Sequence, residues 1–320
     1  MRQAGRYLDE YRNIRAKQND FISLCLDPDQ ASTVTLQPIT RFGFDAAIIF
    51  SDILMVPWAM NLNVRFKPGI GPLLDPLEKP NVIGISCLDN LSKKLAPVGN
   101  ALKLTHLSLP ACTALIGFAG APWTLITYIA EGKSSRDFTR ARLWAWESPK
   151  ELDSLLEILI EATISFLSLQ AEAGAECLML FDSWAGAVPA TQRDWLVIKP
   201  TNAIVQGVRK NGHQQPIIGF PKGFGDGLIH YAEKSGIDAI GIDHGVDPKW
   251  AGKILPKNMV VQGNLDPLSL ISGGKEMLRD IDYILESFHD RPHIFNLGHG
   301  IAPPTPIENV QIMIDHIRNG

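Results

Sequence analysis

Residues 177–186 read Cys177-Leu178-Met179-Leu180-Phe181-Asp182-Ser183-Trp184-Ala185-Gly186: an unbroken apolar run, then an aspartate and a serine, then a turn. A strand with one wet face would alternate, so a continuous apolar run reads as a strand covered on both faces. The same pattern recurs at residues 45–50, 114–118, 216–220, 239–242, 259–261 and 293–297, with residues 81–87 as an eighth candidate. Helix-length segments lie between. The clearest spans 149–174, where Ser148 and Glu151 make a capping box and Leu155, Leu156, Ile158 and Leu159 share one face. Residues 195–198 and 250–255 continue the alternation. Buried strands joined by helical crossovers predict an α/β chain, and the strand count favours a (β/α)8 TIM barrel over an open doubly wound sheet. No repeat or low-complexity linker marks a boundary, so residues 1–320 are expected to form a single barrel domain.

The composition agrees. With 45% hydrophobic and 20% charged residues, the chain can bury a sizeable core, which excludes collagen, coiled coil and wholesale disorder. Thirty basic against 34 acidic residues leave a net charge of −4. That balance provides no field for nucleic acid or an acidic membrane, so an anionic ligand needs a local arginine cluster. Cys25, Cys87, Cys112 and Cys177 show neither paired nor metal-ligand spacing, and a reduced, cytoplasmic setting is expected. Residues 1–10 are charged throughout with no apolar core, so no secretory signal is expected. Residues 104–130 lack Asp, Glu, Lys and Arg and are long enough to span a bilayer, but Pro110, Gly117, Gly120 and Pro122 break them into loop, strand and helix start.

A barrel places reactive side chains where strands end at their carboxyl side. Three such endings carry polar groups: Ser51 and Asp52, Asp182 and Ser183, and His299 between Gly298 and Gly300. Each type also has an ordinary structural role, as a helix cap, a backbone bonder or a buried imidazole. The opening Met1-Arg2-Gln3-Ala4-Gly5-Arg6-Tyr7 adds two guanidiniums flanking a small, flexible pair, a spacing suited to gripping carboxylates. Arg12 and Arg15 follow, Arg12 on a solvated helix face. The run Phe220-Pro221-Lys222-Gly223-Phe224-Gly225 lacks phosphate-loop spacing and gives no site on its own.

Six segments together carry a family resemblance: residues 2–7 (RQAGRY), 50–54 (FSDIL), 120–124 (GAPWT), 181–186 (FDSWAG), 261–267 (VQGNLDP) and 296–300 (NLGHG). In order and spread along nearly the whole chain, they resemble the uroporphyrinogen decarboxylase family. The resemblance implies a (β/α)8 barrel, usually a homodimer, that without a cofactor converts uroporphyrinogen III to coproporphyrinogen III. It implies that Arg2, Gln3, Ala4, Gly5, Arg6 and Arg15 bind substrate carboxylates, with Arg2 also a catalytic candidate. Asp52 would face the pyrrole NH groups, and Tyr128, Ser183 and His299 would touch the substrate. On intrinsic pKa, His299 is an easier proton donor than Arg2. Arg2 lies beside the first residue, where fraying is expected, so a tetrapyrrole-binding barrel without catalysis is one alternative. Another is a zinc-dependent, corrinoid-linked methyltransferase, although His244 has no cysteine nearby to share a metal.

Overall fold

The computed structural model describes residues 1–18, 20–67 and 69–319. Seven strands form one parallel sheet: β1 (Ala46–Ile48), β2 (Ala114–Gly120), β3 (Cys177–Asp182), β4 (Ile217–Pro221), β5 (Ala239–Gly241), β6 (Val260–Leu265) and β7 (His293–Leu297). They pair strictly in chain order, each strand joined to the next by a helical crossover, as in a barrel rather than a doubly wound sheet. All of β4 is buried, which its uninterrupted apolar sequence demanded. The fold is the expected TIM barrel, with helices outside and the strands' carboxyl ends gathered at one mouth.

Helix Pro149–Glu172 shows how the layers mesh. It buries Leu155, Leu159, Ala162 and Phe166 and packs over β2 and β3. Its expected capping box is absent, because Ser148 also ends the preceding helix, donating its N–H to Trp144 O, and Pro149 starts the new one. Further along, Gln170 is fully buried, and its amide bonds both the N–H and the C=O of Phe118 (2.8 Å each). β1 is too short to reach Phe118, so a side-chain amide completes the ladder there. Gly117 makes room, since an added Cβ would sit 2.8 Å from Gln170 Oε1.

The expected strand at 81–87 is not one. Pro80–Val82 and Ile85–Leu88 are short 3-10 turns, with Val82 62% and Ile85 69% exposed, so no second layer covers them. The eighth position is filled by the chain's opening segment. Gln3 Nε2 donates to Ala46 O (2.7 Å), and Ile48 N donates to Gln3 Oε1 (3.0 Å). Those are the two groups that one residue of a neighbouring parallel strand would bond. On the β7 side, Ile301 N donates to Arg2 O (3.3 Å).

Fraying of this segment was expected, and packing overrides it. Met1, Ala4, Tyr7 and Leu8 are buried, and Tyr7 stacks on Phe42 with ring centroids 6.5 Å apart. The last helix, Ile307–Asn319, ties the opposite side, where Arg318 Nη2 donates to Gly43 O (2.5 Å) just before β1. No helix among the described residues is long and apolar enough to cross a membrane. Residues 104–130 divide instead into a helix end at Ser108, strand β2 and the helix Pro122–Glu131.

Candidate active site

The carboxyl ends of the strands bring together residues that are far apart in sequence. After β1, the chain turns through Asp52. Its Oδ1 accepts the N–H of Leu54 (2.9 Å), and Oδ2 has no partner among the described residues. Asp52 therefore combines both of its possible roles, one oxygen capping a turn and the other left over. Enclosure by the barrel mouth raises its carboxyl to about 6, against the pull of the Leu54 N–H and the Arg2 charge. It is largely ionised at neutral pH and is easily protonated below it.

After β2, helix Pro122–Glu131 carries Thr124 and, one turn on, Tyr128. Tyr128 is buried within 6.4 Å, centroid to centroid, of the Trp184 ring. Its phenol is pushed up to about 12, by burial first and by the Asp52 charge among the lesser causes, so it remains a neutral donor.

β3 ends in Asp182, which is 1% exposed. Thr124 Oγ1 donates to its Oδ1 (2.6 Å), and Trp184 N donates to Thr124 Oγ1 (3.2 Å). Burial raises Asp182 to about 7 despite these bonds. The next residue, Ser183, is half-buried, and its hydroxyl makes no hydrogen bond among the described residues.

His299, past the end of β7, stacks on Phe220 of β4 (6.5 Å, 15° between planes). Its Nδ1 is buried with no hydrogen-bond partner among the described residues. Burial first, then the charges of Lys222, Arg2 and His244, hold its pKa near 4. The intrinsic value that favoured His299 over Arg2 as a proton donor is thus lowered here by burial, which favours the neutral ring at pH 7. An edge-to-face row of Phe118, Phe181 and Phe220 lines the wall beneath it (5.4 and 5.9 Å).

The opening segment supplies the cations. Arg2 and Arg6 are exposed, and Ala4 and Gly5 pack between them. Arg2 lies against Gly300, where an added Cβ would come within 3.0 Å of Arg2 Cβ. The Gln3 amide, expected at the ligand, is bonded into the β1 ladder instead. Arg15 is half-buried, donates to Gln18 O (3.2 Å), and acts on Asp20 and on the buried Cys25, a thiol that also feels Asp52. Arg12 bonds Arg6 O (2.6 Å), as a solvated face residue would.

Two residues of this mouth escaped the sequence reading. Asp182 was named as a strand ending, but only its neighbour Ser183 was advanced as a site residue. Lys222 directly follows β4, within a glycine-rich run whose spacing does not fit a phosphate loop. The same rule of a polar residue after an apolar run would have found it.

The mouth of this parallel barrel thus gathers a carboxylate with an uncommitted oxygen, a buried phenol and imidazole, aromatic walls and a pair of guanidiniums, groups able to hold an organic anion. The family model described as uroporphyrinogen decarboxylase (URO-D) matches residues 1–320. The chain belongs to the uroporphyrinogen decarboxylase family. The uroporphyrinogen decarboxylase of Maricaulis maris is 47% identical over 319 residues, covering 100% of this chain and 92% of that protein. That of Novosphingobium aromaticivorans is 46% identical over 318 residues, 99% and 93% of the two chains. Among solved structures, a methyltransferase from Methanosarcina mazei superimposes with a TM-score of 0.79 at 15% identity, over 96% of this chain and 90% of that one. At that identity the likeness concerns the fold alone. Among the described residues, no group of three or more His, Cys, Asp or Glu side chains is arranged to hold a metal ion.

Proposed function

We propose that the protein decarboxylates uroporphyrinogen III, converting its four acetate arms to methyl groups and yielding coproporphyrinogen III and four CO2. In each cycle a proton adds to a pyrrole carbon and makes the ring an iminium-like cation. The bond between the acetate methylene and its carboxylate then breaks, its electron pair flows into that ring, and CO2 leaves. A proton delivered to the exocyclic methylene gives the methyl, and loss of the first proton restores the pyrrole. One proton is consumed per CO2 released.

In this reading Asp52 accepts the pyrrole NH groups and steadies the ring cation. At about 4 Å and an effective dielectric near 20, the attraction is about 4 kcal/mol, or roughly three decades in rate. Enzymes supply about 8 to 23 kcal/mol, so orientation and ring protonation carry the rest. Arg2, Arg6 and Arg15, with the backbone of residues 3–5, hold carboxylates, and Arg2 orients the arm that reacts. Tyr128, Ser183 and His299 contact the macrocycle, His299 as a neutral hydrogen-bonding ring.

The observation that carries the reading is the uncommitted oxygen of Asp52 in the same barrel mouth as Tyr128, Ser183, His299 and the two exposed guanidiniums. The resemblance further supports action as a cytoplasmic homodimer, which light scattering on the purified protein tests. The direct test is an anaerobic assay with uroporphyrinogen III. Asp52→Asn keeps the shape, removes the charge and is expected to lower CO2 release about 1,000-fold. Near-normal coproporphyrinogen formation by that variant overturns the role of Asp52, and no turnover by the wild type overturns the reading.

A further inference from the structure

Lys222 is the unexplained charge of the mouth. Its backbone is clamped on both sides: Lys222 N donates to Asp182 O and Gly186 N donates to Lys222 O, each at 3.0 Å. The loop after it is fastened too, since Gly223 N donates to Asp243 Oδ2 (2.7 Å). Its Nζ rests 5.7 Å from the centroid of the Trp184 ring. The side chain is thus steered to one place by a rigid strand end and an aromatic face.

That place offers no anion. Lys222 makes no ion pair among the described residues, although the chain carries 34 acidic side chains. Two carboxylates bonded to or beside this loop are committed elsewhere: Asp182 accepts from Thr124, and Asp243 from the N–H groups of Gly223 and Gly245. The other groups that, with Lys222, lower the His299 pKa include Arg2 and the amino terminus, both basic rather than acidic. A half-buried ammonium with no partner among the described residues is free to take an incoming carboxylate.

We propose that Lys222 is a second carboxylate anchor, gripping a side arm of the substrate on the wall formed by Trp184 and His299. The inference rests on the decarboxylase reading. The strand order gives the anchor its use. In a ring of β1 to β7 closed by the opening segment, β4 stands opposite that segment, so Lys222 and the Arg2–Arg6 pair hold the macrocycle from two sides. A lysine suits the wall better than an arginine, because a single flexible ammonium follows arms of different length and direction as they are presented in turn.

The test compares Lys222→Met, Lys222→Arg and the wild type in the anaerobic assay at low and high salt. Lys222→Met is expected to raise KM about tenfold at low salt with kcat within about twofold, and the difference should shrink as salt screens the pair. Lys222→Arg restores most of the loss. A merely structural lysine would not give this split between KM and kcat, nor its salt dependence. An unchanged KM in Lys222→Met beside an active wild type overturns the anchor and leaves the decarboxylase reading intact. If the wild type itself does not turn over, quenching of uroporphyrin fluorescence replaces the assay. Equal affinity of wild type and Lys222→Met for that octacarboxylate then overturns the anchor, and a weakened variant supports it.

Discussion

Replacing Asp182 by asparagine should stabilise the protein at pH 8 far more than at pH 5. Asparagine keeps an oxygen to accept the Thr124 hydroxyl, now 2.6 Å from Asp182 Oδ1, and removes only the ability to ionise. Burial lifts the folded-state pKa from 3.8 to about 7. The sign follows from linkage. An acid whose pKa is raised on folding holds its proton more tightly in the native state. Its contribution to stability is complete below 3.8 and is lost as pH rises through about 7. Between pH 5 and pH 7 that loss amounts to about 2 pH units at about 1.4 kcal/mol each, close to 3 kcal/mol. The asparagine variant has no such loss. Asp52 and His299 also titrate differently in the folded and unfolded chains, but both variants share them and they cancel in the difference. Urea unfolding of the two proteins at pH 5, 6, 7 and 8 measures it. The stability gap should widen by about 3 kcal/mol across the series. Parallel curves would mean that Asp182 is hydrated or paired in solution, and the account of its burial would fail.

Two further outcomes follow from the same structure. Activity should fall as pH drops through about 6, because the carboxylate of Asp52 is the working form and its pKa is lifted to that value by enclosure; a profile of kcat/KM flat from pH 5 to 7 would contradict it. Gln3→Ala should cost about 3 kcal/mol, since it leaves Ala46 O and Ile48 N without partners at the seam of the barrel. It should also raise KM by loosening the segment that carries Arg2 and Arg6. A variant with unaltered melting temperature and KM would show that the seam closes without the glutamine.

Much of this protein is legible in its sequence, because burial on both faces leaves an imprint that needs no partner to be read. The runs that became β2, β3 and β4 were almost wholly apolar, and the residue after each lay at the barrel mouth for a topological reason. The ends of short strands were less legible: β1 covers only Ala46–Ile48 of the expected 45–50, since pairing with β2 decides its length. Tertiary structure alone decided three matters. Residues 81–87 have the composition of a strand, but Pro80 opens a turn just before them, Gly84 interrupts them and no layer covers them, so they fold as turns. Gln3 looked like a ligand-binding polar side chain, and only the gap between β1 and β7 turned its amide into the missing rung of a ladder. The ionisation of Asp52, Asp182 and His299 was equally beyond the sequence. A carboxylate and an imidazole take their proton affinity from the water they lose and the charges they face, and both depend on which distant strands end beside them.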